Sequence, residues 1–115
     1  MFKKIDHVEI ITDDLERSID FYTNVLGFKH KLSQHIERST LGVPLDMVLL
    51  DLGGTAVELI SYIGATVAPP PTGEQQGYRM MALEVEDMDK ALELAKGCPI
   101  LEGDGTVEVR PFASM

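Results

Sequence analysis

The opening of the chain, IDHVEIITDDLERSIDFYTNVLGF (residues 5–28), constrains the fold more than any other stretch. Its apolar residues first recur at every second position and then at every third or fourth. A strand must therefore give way to a helix within one short connection. On the strand, Ile5, His7, Glu9 and Ile11 share one side, while Asp6, Val8, Ile10 and Thr12 share the other. One side has to cover the helix, and the side carrying His7 is free for something else. Asp13 is the expected N-cap, with Glu16 three residues on completing a capping-box-like pair. Asp14 and Glu16 put negative charge at the positive end of the helix dipole. Leu15, Ile19, Tyr22 and Leu26 form one apolar stripe, which predicts a helix over 14–26, and Gly27 supplies a left-handed stop.

Three further strands are expected in the first half. FKHKLSQHI (28–36) is one and MVLLDL (47–52) the next; TAVELISY (55–62) returns across the two-residue turn Gly53-Gly54. In the returning strand Val57 and Leu59 face one way, and Ala56, Glu58, Ile60 and Tyr62 the other. The segment 64–78 holds three consecutive prolines and three glycines and reads as a stiff spacer. After it the opening pattern restarts. A shift of 73 positions carries Val8 onto Met81, Ile10 onto Leu83, Asp14 onto Asp87, Arg17 onto Lys90 and Ile19 onto Leu92. That predicts a strand over 80–86 and a helix over about 87–96 ending at Gly97, a sign of internal duplication. ILEG and TVEVRPF, after Pro99, offer two more short strands, one fewer than a full repeat requires. The expected layout is a single domain, 1–115, with a first module at 1–63, the linker at 64–78 and a shortened second module at 79–115. An unfilled sheet edge invites pairing, so a homodimer is expected.

A net charge of −9 disfavours nucleic acid and anionic membrane, which select basic faces. No apolar run approaches the roughly 20 residues of a membrane span. The N-terminus MFKKID lacks the apolar core of a signal peptide, and the single cysteine, Cys98, cannot form an intrachain disulfide. A reducing cytoplasm is therefore expected. Cys98, beside Pro99 and with no histidine near it in sequence, reads as structural.

The segments IDHVEIITDDLERSIDFYTNVLGF, VELIS and GYRMMALEVEDMDKALE resemble the vicinal oxygen chelate superfamily. It includes glyoxalase I, methylmalonyl-CoA epimerase, extradiol dioxygenases and bleomycin-resistance proteins. The resemblance implies an α+β fold of paired βαβββ modules with curled mixed sheets around a cleft, the second module incomplete. In the metal enzymes of that superfamily, a first-strand histidine and a fourth-strand glutamate from each module bind one divalent ion. Carried onto this chain, the resemblance implies metal ligation by His7 and Glu58, with Zn, Ni, Mn, Co or Mg as the ion. The third position falls on Met80, and the strand for a fourth ligand is missing. A thioether is a poor ligand for these ions.

Each candidate also has an ordinary structural reading. His7 is a ligand, a base or a hydrogen-bonded wall residue. Glu58, in an apolar strand, needs a cation, a proton or a partner if buried, and only water if exposed. Glu84, on the side of Met80, is the candidate catalytic acid or base, or else a solvated carboxylate. His35 is a further residue that could reach the cleft, and Met80 is expected to line it. Two functions follow from the resemblance. One is a glyoxalase-like, metal-dependent lyase or isomerase, similar to lactoylglutathione lyase or to an epimerase, which acts beside a carbonyl through enolate stabilisation. The other is a non-catalytic small-molecule-binding protein of the bleomycin-resistance type.

Overall fold

In the computed structural model the alternating stretch forms β1 (His7–Ile11), whose exposure alternates residue by residue as the period-two pattern requires. The structure describes residues 1–71, 73–78, 80–98 and 107–108, and the strands expected after Pro99 lie outside these apart from Val107 and Glu108. The chain divides into two compact units, Met1–Ala68 and Pro69–Met115.

In the first unit the helix α1 (Leu15–Asp20) begins one residue later than expected. Its cap is Asp14, not Asp13: the Asp14 carboxylate accepts the Arg17 N–H at 3.1 Å. Thr12 settles the choice, because its hydroxyl accepts the Asp14 N–H at 3.1 Å and meets the Ser18 hydroxyl at 2.8 Å. From Phe21 to Val25 the helix widens into a π-helical turn, closed by Leu26 N–H donating to Phe21 O at 3.1 Å. Thr23 helps to open it. Its hydroxyl donates to Ile19 O at 2.7 Å and so competes for a carbonyl that an α-helix would use internally. Gly27, at φ 84°, then turns the chain, and Phe28 is buried with its ring edge-on to Tyr22.

The strands β2 (Lys29–Ile36), β3 (Leu45–Leu52) and β4 (Thr55–Tyr62) follow, with β3 starting two residues earlier than the apolar run suggests. Gly53 and Gly54, both at positive φ (61° and 93°), form the tight turn between β3 and β4. The sheet order is β1-β4-β3-β2, with β1 parallel to β4 and the other pairs antiparallel. Leu50 and Leu59 are fully buried, with Val48 and Val57 beside them on the same face, and α1 packs against β4. Each such side chain stabilises the fold by about 1.5–3 kcal/mol.

The second unit departs from the expected duplication. Its helix α2 (Met88–Ala95) repeats the start of α1 closely: Asp87 accepts the Lys90 N–H at 3.1 Å, the bond that Asp14 makes to Arg17, displaced by the same 73 positions. Residues 80–86, however, form no strand. A strand is held by its ladder, and this stretch has none among the described residues; Met80, Leu83 and Val85 remain exposed. The expected pair of curled sheets around a cleft is thus corrected. The described strands make one open four-stranded mixed sheet with β1 and β2 at its edges, and the described residues form no clean second βαβββ module.

Candidate metal centre

The parallel pairing of β1 with β4 builds the site. Its register sets His7 against Ala56 and Glu9 against Glu58, so all four side chains leave the sheet on one face. The Ala56 N–H donates to Asp6 O at 3.0 Å and extends the ladder one residue before β1. On that face Glu58 is flanked by the buried Ala56 and Ile60 and opposed by half-buried Leu49 on β3. Its side chain is only 15% exposed, against 39% for His7. A carboxylate so enclosed needs a positive partner.

His7 provides one. Its Nε2 lies 3.1 Å from Glu58 Oε2, and its Nδ1 lies 2.9 Å from Asp6 Oδ2. Both neighbours are carboxylates and accept only, so each contact calls for a proton on the ring nitrogen or a cation beside it. The hydrogen bond with Asp6, and then the charges of Glu58, Asp6 and Glu9, raise the His7 pKa above the usual 6.5, against the opposing effect of desolvation. The same hydrogen bond is the main reason that the Asp6 pKa is lowered.

Glu9 joins this pair. One ligand atom from each of His7, Glu9 and Glu58 lies within 4.8 Å of the others. Donors about 2.0–2.2 Å from one divalent ion stand roughly 3–4 Å apart, so the contact between His7 and Glu58 already has a suitable spacing. One imidazole and two carboxylates form a borderline-to-hard donor set, suited to ions such as Zn²⁺, Mn²⁺ or Co²⁺. The residues present therefore fit a divalent metal. Glu9 is not among the candidate ligands that the sequence suggests, although its place on the His7 face is legible there; the signal lacking is the register that sets it against Glu58.

Glu84 and Met80 are the two sequence candidates that lie outside the first unit. Both are exposed. His35 is on the opposite face of the sheet, that of Val48, where its Nδ1 meets Asp46 at 2.6 Å and its Nε2 meets Glu37 at 3.0 Å. These contacts raise its pKa, the Asp46 hydrogen bond most of all. Cys98 is a half-buried free thiol.

The first unit is thus an α+β unit that carries a candidate metal-ligating imidazole–carboxylate cluster on its first and fourth strands. The chain belongs to the glyoxalase/bleomycin resistance protein/dioxygenase superfamily, whose family model matches residues 4–107. Among solved structures it is similar to the trypanothione-dependent glyoxalase I of Leishmania major, with 27% identity and a TM-score of 0.61 over 83% of this chain and 66% of that one. It is also similar to a glyoxalase family protein from Enterococcus faecalis (25% identity, TM-score 0.62, 83% of this chain and 71% of that one). The fold alone is shared with the fosfomycin resistance protein FosX of Listeria monocytogenes, solved with Mn(II) (15% identity, TM-score 0.58, 84% of this chain and 69% of that one). No curated protein matches the chain at a significant level.

Proposed function

We propose that the protein is a metal-dependent enzyme of the glyoxalase type, a lyase or isomerase that moves a proton beside a carbonyl of a small molecule. The observation that carries this reading is the convergence of His7, Glu9 and Glu58 on one sheet face. His7 Nε2 and one oxygen each from Glu9 and Glu58 would hold the ion. A divalent ion there supplies Lewis-acid charge to a carbonyl oxygen and so makes the neighbouring C–H more acidic. The buried Ala56 and Ile60 flank Glu58, and its low exposure strengthens the electrostatics at its carboxylate. A carboxylate has to carry the proton, and Glu84 is the candidate from the sequence. The protein would work on a soluble small molecule in a reducing cytoplasm as a homodimer. Sedimentation velocity should then give twice the monomer mass, and a monomer at micromolar concentration would count against the dimer.

One observation favours a second reading, a binding protein without catalysis. Glu58 already has a partner in His7, so its enclosure is satisfied with no ion present. Elemental analysis separates the two. Purified wild-type protein, loaded and desalted, should keep about one equivalent of Zn²⁺ or Mn²⁺, and His7→Ala should keep none. Wild-type protein that retains no ion, yet binds small molecules in the presence of chelator, would establish the second reading.

A further inference from the structure

We infer that Asp6 is a positioning residue, which fixes the His7 ring so that Nε2 is presented to Glu58 and Glu9. This rests on the metal-site reading above and adds to it a residue from outside the cluster. Three observations carry it. Asp6 Oδ2 lies 2.9 Å from His7 Nδ1, which is hydrogen-bond distance. Asp6 and Glu58 are both carboxylates and can only accept, and the neutral ring has one hydrogen to give; the shorter contact, to Asp6, takes it on Nδ1, and Nε2 keeps a free lone pair that needs a cation between it and Glu58. That lone pair points toward Glu58, 3.1 Å away, and not toward solvent. The Asp6 backbone is itself held by the Ala56 N–H at 3.0 Å, one rung before the ladder that sets Glu9 beside Glu58. The ladder that assembles the ligands thus also holds the group that orients one of them. Carboxylates hydrogen-bonded to the remote nitrogen of a ligating histidine set its tautomer and raise its basicity.

Asp6 is well suited to a test because its side chain is 80% exposed and fills no part of the core. The experiment uses the full chain as wild type, Asp6→Ala and Asp6→Asn. Long-range proton–nitrogen correlation NMR reads the His7 tautomer without metal, at a pH where the ring is neutral. Calorimetry reads Zn²⁺ affinity. In wild type, His7 should carry its hydrogen on Nδ1. In Asp6→Ala the hydrogen should move largely to Nε2, with Zn²⁺ affinity falling roughly 10–100-fold. Asp6→Asn, which can still accept at Nδ1, should restore the tautomer and much of the affinity. An Nδ1–H tautomer retained in Asp6→Ala, with affinity within about twofold of wild type, would overturn the inference. Wild-type protein that binds no Zn²⁺ would overturn the metal-site reading instead, and the tautomer would still decide the role of Asp6.

Discussion

At the scale of single residues, the site is governed by competition for His7. On the proposed reading a proton and a metal ion compete for Nε2, and Asp6, Glu9 and Glu58 all favour the protonated ring. Metal affinity should therefore fall as pH drops through a midpoint above the usual histidine value of 6.5. A metal titration at several pH values would read this directly, and Glu9→Gln should lower the midpoint by removing one of the charges. Without metal the sign reverses for stability. The pKa values of His7 and His35 are raised on folding, so their contribution is complete below about 6.5 and is lost as pH rises through the folded-state values. The melting temperature of the metal-free protein should thus decline with rising pH across that window. His35→Gln should flatten part of the decline, and an unchanged slope would show that its contacts with Asp46 and Glu37 contribute nothing to stability.

At the scale of elements, β1 and β4 carry the site, and α1 and β4 tolerate different changes. The Asp14 cap bonds a backbone N–H that otherwise has no partner inside the helix, so Asp14→Ala should cost about 1 kcal/mol in chemical denaturation. Leu59 is fully buried beside Glu58 in sequence but on the other face, so Leu59→Ala should cost about 2–5 kcal/mol. The elements also show what the sequence could and could not disclose. The strand, the helix, the Gly27 stop and the Gly53-Gly54 hairpin follow from local periodicity and turn chemistry. The π-helical turn does not, because it depends on which carbonyl the Thr23 hydroxyl takes. Nor does the identity of the cap, which Thr12 and Ser18 decide between two adjacent aspartates. The repeat was legible at the helix, where Asp87 caps α2 as Asp14 caps α1. It failed at residues 80–86, where alternation was present but the described residues offer no ladder partner.

At the scale of the whole molecule, His7 and Glu58 are 51 positions apart in the sequence. Only the parallel pairing of the first strand with the fourth, across α1 and a hairpin, brings them together. Their types and strand positions could be matched to a family pattern, but their spacing could not be derived without the register. Glu9 shows the limit most clearly: it lies two residues from His7, yet its partnership with Glu58 is a property of the sheet. No described helix is long and apolar enough to cross a membrane. Among the described residues, the three groups that could hold a metal ion all come from the first unit. The most direct test is an anomalous-difference map from crystals soaked in Mn²⁺ or Zn²⁺. One strong peak bounded by His7 Nε2 and the carboxylates of Glu9 and Glu58 is the predicted result. No peak there, in crystals whose soak reached other sites, would contradict it.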